Sequence, residues 1–341
     1  MKATGKFLNH IHYFRAFAII NIMVLHLWHI PESYQKYRGC NAINIAREVA
    51  FHDSTIYFIF ISGFLFYYLS NKFKLFKYYK SKIFNVLLPY VFITLVVNAL
   101  FIINQKCSIT DYFKYALWSL VDGTAQTQYW YIPFISLVYL ISPIFLMIQI
   151  NTFRIVVIVL SLLPLLGTRT ENYISFFQYV YFFPAYLLGI YAAMDYVNFI
   201  SIIRSHMFVI LSLLIVSSLM LANLNGKPCI IGLVNITESL FYIQKISICF
   251  VSLIVLIRFE DKKIVLLDYF ATYSFAIYFT HTLIGNTVVN AWYYDHLLSK
   301  LPELILPLSI IYVVAISFTT LLVCITIKQI LGKRSRYFIG A

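Results

Sequence analysis

The chain has 341 residues, of which 61% are hydrophobic and only 11% charged, and its mean hydropathy is +0.82. Soluble domains carry roughly 25% charged and 45–50% apolar residues, so a water-exposed surface is excluded; disorder, which needs low hydrophobicity and dense charge, is excluded with it. The formal net charge is nevertheless +13, from 26 basic and 13 acidic residues. That excess admits nucleic acid, anionic lipid, an anionic cofactor or membrane topology as its cause.

A membrane-spanning helix needs about 20 mostly apolar residues. Ten stretches qualify or come close: 11–30, 48–70, 83–104, 129–150, 155–168, 177–194, 207–223, 239–258, 267–290 and 304–327, the fifth being short. The prediction is an all-α polytopic bundle of about ten transmembrane helices, one domain over residues 1–341, without an internal repeat. The amphipathic stretch 111–121 (Asp111, Lys114, Trp118) predicts an interfacial helix instead of a span. The first span carries Arg15 and His26 and is followed by no small-residue cleavage site, so it is not read as a signal peptide. With the N-terminus inside, 16 Lys and Arg fall in cytoplasmic segments and 8 outside. This bias predicts both termini in the cytoplasm and removes the need for nucleic acid. The cysteines (Cys40, Cys107, Cys229, Cys249, Cys324) form no C-x-x-C or zinc spacing, and neither a metal nor a disulfide framework is expected.

An ionisable group at bilayer depth costs about 2.5–3.5 kcal/mol, so it faces a cavity or a partner. In the first span Arg15 and His26 are eleven residues apart; at about 100° per residue they share an azimuth, roughly 16 Å apart along the axis. His12 and His29 fall on the same face. A histidine there suits a general base and an arginine nearer the cytoplasm a phosphate clamp. Further along, Asp53 and His52 stand at the outer entrance of the second span, and Ser62-Gly63 within it predicts a close helix contact or a kink. The segment 72-KFKLFKYYKSK-82 holds five lysines, a topology signal that also suits a cytosolic polyanion. Trp130 opens the fourth span beside Tyr129, as an interfacial anchor or a sugar platform. Lys245 lies within the eighth span, where it needs an acidic or phosphate partner, and His281 lies past the midpoint of the ninth.

Five of these segments, in order, resemble the acyltransferase-3 family of integral membrane acyltransferases. Arg15 through His26, R-A-F-A-I-I-N-I-M-V-L-H, resembles the family's Arg, ten residues, His motif. Phe60 to Leu65, F-I-S-G-F-L, resembles its F-x-S-G-F segment; the lysine loop leads through Lys80 and Lys82 to Pro89-Tyr90. Tyr129-Trp130-Tyr131-Ile132 is similar to the family's L-W-F-L, and Ser274 to His281 to its S-x-x-I-Y-L-x-H. One departure stands out: the family's two loop arginines are replaced by lysines, with Asn85 and Val86 in the place of the second.

The resemblance implies transfer of an acyl group, most often acetyl, from cytosolic acyl-coenzyme A (acetyl-CoA) to a hydroxyl of a glycan acceptor: O-antigen, capsule or exopolysaccharide. It implies a multi-pass protein of the bacterial inner membrane, in contact with lipid, and no C-terminal extracytoplasmic esterase-like domain is expected here. His26 is the expected base, and Arg15, Lys80 and Lys82 are expected to hold the coenzyme A phosphates. Asp53, Ser62, Tyr129, Trp130, Lys245 and His281 are expected to line the cavity or orient His26. No motif establishes a Ser or Cys nucleophile, so direct transfer is the simpler course. A glycan transporter or flippase, or a polymerase, would also bury ionisable residues and would need no acyl-coenzyme A.

Overall fold

Within lipid, every backbone N–H and C=O must be satisfied inside the chain, and a helix does this locally. The computed structural model, which describes residues 7–28, 30, 39–105, 108–169, 175–285 and 302–341, is accordingly almost all helix. The first predicted span is α1, Asn9–Leu27. Its N-terminus is tied down by Glu260, whose carboxylate accepts from the His10 N–H (2.8 Å) and lies 2.6 Å from His10 Nδ1. Burial works to raise the Glu260 carboxyl, but these bonds from His10 outweigh it and hold it below the usual range. Tyr13 adds a clasp to the same loop, donating to the Lys262 carbonyl at 2.6 Å.

The second predicted span is two helices, α2 (Cys40–Phe51) and α3 (Thr55–Tyr68). The break falls at Asp53, whose φ of 55° lies in the left-handed region that helix interiors do not use. The lysine segment forms α4 (Leu75–Lys82) and passes through a short π-helical turn (Ile83–Leu87) into α5 (Leu88–Gln105). The amphipathic stretch is α6 (Ile109–Asp122), opened by a Ser108/Asp111 capping box. Phe113, Leu117 and Trp118 are exposed on it, as an interfacial helix requires. Gly123 closes it in the left-handed conformation and packs directly on the Trp130 backbone.

The fourth and fifth stretches, α7 (Tyr131–Ile141) and α8 (Ile150–Leu162), each tighten into a 3₁₀ turn at a proline, Pro143 and Pro164. Then come α9 (Phe176–Met194), α10 (Tyr196–Ser205) and α11 (Met207–Asn223), a two-stranded hairpin (Ile230–Ile231 with Val234–Asn235), and α12 (Ile236–Ile257). The ninth stretch breaks at Tyr273 into α13 (Val265–Thr272) and α14 (Ser274–Ile284); its predicted end, 286–290, lies outside the described residues. The last span is α15 (Ile305–Leu331), followed by the short α16 (Ser335–Phe338).

Ten predicted spans therefore resolve differently. Among the described residues, six helical spans are long and apolar enough to cross a membrane, α2 and α3 counting together as one, or seven if α10 and α11, bent by 67°, also count as one. Three shorter apolar segments, Tyr131–Met147, Ile150–Leu165 and Ser274–Ile284, account for the other stretches. The prolines and the Tyr273 break shorten them. The fold is that of a multi-pass membrane protein.

The Ser62-Gly63 pair makes the close contact predicted for it. α3 and α9 cross backbone to backbone, Gly63 against the Tyr186 carbonyl and Gly189 against the Phe60 carbonyl. α1 runs through the centre, packed by α3, α12, α13 and α14.

Candidate functional site

A cavity of about 740 Å³ opens at the end of the bundle that carries the lysine segment. Lys72, Lys74, Lys77 and Lys82 line it from that segment. Arg15 joins them from α1, with Lys328 and Arg336 from the chain's far end. Among the described residues no acidic side chain lines the cavity. A walled pocket with cations of one sign focuses field and concentrates anions, so the chemistry it suits is a polyphosphate.

Each side chain is positioned by its own element. The Arg15 guanidinium donates to Ser274 Oγ at the start of α14 (3.0 Å). The Lys82 ammonium sits 3.7 Å from the centre of the Tyr139 ring, a cation–π seat. Tyr139 OH and Tyr131 OH both lie 3.4 Å from Ser62 Oγ, so one hydroxyl cluster ties α3 to α7. Asn85 and Val86, which stand where the family pattern has an arginine, also line the cavity, and neither carries charge.

Lys80 is not among the lining residues and is exposed. It is two residues from Lys82, hence roughly 200° around α4, so the pair predicted to act together points to different places. Lys77, Lys328, Arg336, Tyr131 and Tyr139 join the lining without having been singled out. The signal available for the cations was that 72–82 and 328–336 are both basic and fall on the same predicted side.

The cavity reaches Ile22 on α1, one turn short of His26, or about 6 Å along the axis. His26 is half-buried, with Nδ1 3.4 Å from Thr127 Oγ1. Its ring centre is 5.5 Å from that of His281 on α14. The backbone at this level is braced by Arg47 of α2, which donates to the Leu25 carbonyl at 3.0 Å. The polar face predicted for α1 is thus divided. Arg15 faces the cavity and His26 faces His281, while His12 is 3.0 Å from Asp268 Oδ1 on α13; His29 lies outside the described residues.

A hydrogen-bonded cluster ties α14 to the residues that open α7. Tyr129 OH donates to the Phe279 carbonyl (2.7 Å), Tyr278 OH to the Gln128 carbonyl, and Gln128 Nε2 to Thr282 Oγ1 (2.6 Å). Tyr129 is fully buried in this cluster and does not line the cavity. Trp130 is half-buried, its ring 4.9 Å from that of Phe182, also outside the lining.

Asp53 and Lys245 belong to a third cluster. Both Asp53 carboxylate oxygens accept from Arg169 (2.9 and 2.8 Å), and Oδ2 also accepts from Tyr181 OH (2.7 Å). Arg169 Nε adds a bond to Glu238 at 3.2 Å. Burial opposes the guanidinium charge, yet the Asp53 carboxylate and its neighbours outweigh it, and Arg169 holds its proton more tightly than usual. Lys245 is fully buried, and its partners are not an acid or a phosphate: Nζ donates to the Ala50 carbonyl (2.8 Å) and to Gln244 Oε1 (2.8 Å). Ala50 lies in the last turn of α2, whose carbonyls have no partner within the helix and carry partial negative charge. Both residues hold the α2–α3 break; neither is in the cavity wall.

A protein-family model described as an acyltransferase domain, that of the acyltransferase-3 family, matches residues 8–328. No curated protein and no solved structure shows significant similarity to the chain.

Proposed function

The chain belongs to the acyltransferase-3 family, and from that premise we propose that it moves an acyl group, acetyl first among candidates, from cytosolic acyl-coenzyme A to a hydroxyl of a cell-surface glycan. O-antigen, capsule and exopolysaccharide are the acceptor classes in view, and the bacterial inner membrane is the proposed location, with the basic end in the cytoplasm.

The observation that carries the reading is the cavity itself. Among the described residues its wall carries seven basic side chains and no acidic side chain, and it reaches Ile22, one helical turn below His26. Coenzyme A is a polyphosphate at one end and a thin pantetheine arm bearing the thioester at the other. Lys72, Lys74, Lys77 and Lys82 would hold the phosphates, and Arg15 would act deeper. The arm would follow α1 upward over part of the roughly 16 Å from Arg15 to His26.

The acceptor hydroxyl is a weak nucleophile at neutral pH and needs a base as it attacks. In direct transfer, His26 takes the hydroxyl proton while the C–O bond forms at the thioester carbonyl. The C–S bond then breaks, and the coenzyme A thiolate leaves with the proton that His26 returns. Atoms balance without a metal or a second co-reactant.

The test uses membranes carrying the full chain, radiolabelled acetyl-coenzyme A, and the native cell's surface polysaccharide. His26→Ala should abolish transfer of label while inserting at wild-type abundance; near-normal acetylation by that variant refutes the base. Arg15→Ala should chiefly raise the KM for acetyl-coenzyme A. Glycan export or polymerisation that depends on the protein, with no label in the glycan, would favour a transporter or polymerase instead.

A further inference from the structure

Resting on the reading of His26 as the base, we propose that His281 is its positioning residue. His281 Nε2 accepts a hydrogen bond from the Nε2–H of His26, and so holds His26 in the tautomer whose Nδ1 takes the hydroxyl proton.

The His281 tautomer is set by its own helix. Its Nδ1 lies 2.9 Å from the Ile277 carbonyl, one turn back on α14. A carbonyl oxygen only accepts, so Nδ1 carries the hydrogen. In a neutral imidazole the other nitrogen is then an acceptor. That nitrogen, Nε2, is buried and has no hydrogen-bond partner among the described residues. The whole side chain is inaccessible to solvent, and buried polar atoms are rarely left unpaired.

The ring facing it is His26, 5.5 Å away between centres and tilted by 48°. A linear N–H···N bond sets two imidazole centres roughly 5 Å apart, so a small rotation of His26 closes the pair. His26 presents Nδ1 to the Thr127 hydroxyl, which leaves Nε2 for His281. The Thr127 contact is itself exposed, and a hydroxyl arriving there meets the unprotonated nitrogen.

The frame around the pair is rigid. Tyr278, Phe279 and Thr282, flanking His281, are bonded to Gln128 and Tyr129 at the entry of α7. Thr127 is the next residue in the chain, so one scaffold sets the hydroxyl, the base and its partner.

During transfer, His26 gains the hydroxyl proton on Nδ1 and keeps its Nε2–H on His281, which stays neutral. The Nδ1 proton then passes to the departing thiolate. His281 touches neither substrate.

The experiment separates the two nitrogens of His281. His281→Asn keeps an amide N–H near the Nδ1 position and leaves nothing at Nε2. His281→Gln places an amide oxygen near the Nε2 position. With radiolabelled acetyl-coenzyme A as the probe and the native surface polysaccharide as acceptor, His281→Asn should lower kcat roughly thirtyfold or more without changing the donor KM, by loss of tautomer control. His281→Gln should stay within roughly tenfold of wild type. Wild-type kcat in His281→Asn, or a loss in His281→Gln as large as that in His281→Asn, overturns the inference. An inactive His26→Ala beside an active His281→Asn removes this inference alone, whereas an active His26→Ala removes the assignment of the base on which it rests.

Discussion

Replacing Gly63 by alanine places a methyl group into the tightest crossing in the fold. A Cβ at Gly63 would stand 2.0 Å from the Tyr186 carbonyl oxygen, and one at Gly189 would stand 2.0 Å from the Phe60 carbonyl oxygen. Contacts below 3.0 Å are essentially never observed for a Cβ, so α3 and α9 must part by at least about 1 Å. A gap of 0.5–1 Å forfeits about a quarter to a half of each dispersion contact along the seam. Overpacking costs about 1–3 kcal/mol, and the upper end applies because the obstacle is backbone, which cannot swing aside. Alanine returns about 0.8–1 kcal/mol through helix propensity. The expected net loss is therefore about 2 kcal/mol for either substitution. Because the two sites share one crossing, Gly63→Ala/Gly189→Ala should lose less than the sum. Gly167→Ala is the control, its nearest contact being an ordinary 3.8 Å to the Leu163 carbonyl. In detergent, residual monodisperse protein after a temperature series should show both crossing variants inactivated about 3 °C below wild type, with the control unmoved. Ser62 adjoins the crossing and bonds to Tyr131 and Tyr139, so the variants should also bind acetyl-coenzyme A more weakly. Crossing variants that survive heating as well as wild type would refute the reasoning.

Two further substitutions probe charge. Lys82→Ala should raise the acetyl-coenzyme A KM about fivefold at low ionic strength, with the effect shrinking in high salt, while Lys80→Ala should change it less than about twofold; equal effects would contradict the division of these lysines. Asp53→Asn leaves the Arg169 guanidinium, only 12% exposed, with Glu238 as its remaining carboxylate. Thermal inactivation should report a loss of about 2–4 kcal/mol, and a variant as stable as wild type would show the ion pair to be dispensable.

The sequence exposed those parts of the fold that depend on neighbours a few residues away. Arg15, the small pair at Ser62-Gly63 and the amphipathic stretch after Ser108 all carry their meaning within one helix. What it concealed depends on partners brought together by packing. Asp53 reads as a cavity residue until Arg169, 116 residues on, closes around it. Lys245 reads as a cation seeking an anion until the end of α2 supplies carbonyls instead. The break at Asp53 was hidden for a related reason: the polar run from His52 to Thr55 reads as the outer entrance of one span, and hydropathy does not register one residue in the left-handed region. Lys80 and Lys82 show a different loss, since counting charge in a segment ignores the half-turn that separates their directions.

The cluster formed by Gln128, Tyr129, Tyr278 and Thr282 has a consequence for the energetics of the cell. A membrane protein with a wide cationic vestibule on one side puts water deep into the bilayer, where a thin remaining barrier would drain the ion and proton gradients. Here the hydroxyls of both tyrosines are spent on backbone carbonyls, Gln128 on a threonine, and the Tyr129 ring packs edge to face with Phe279. Each of these polar groups is thus already paired within the protein, so the cluster supplies no chain of free hydroxyls along which a proton could hop. The same bonds that tie α14 to the entry of α7 thereby keep these hydroxyls from serving as a proton relay beside the vestibule.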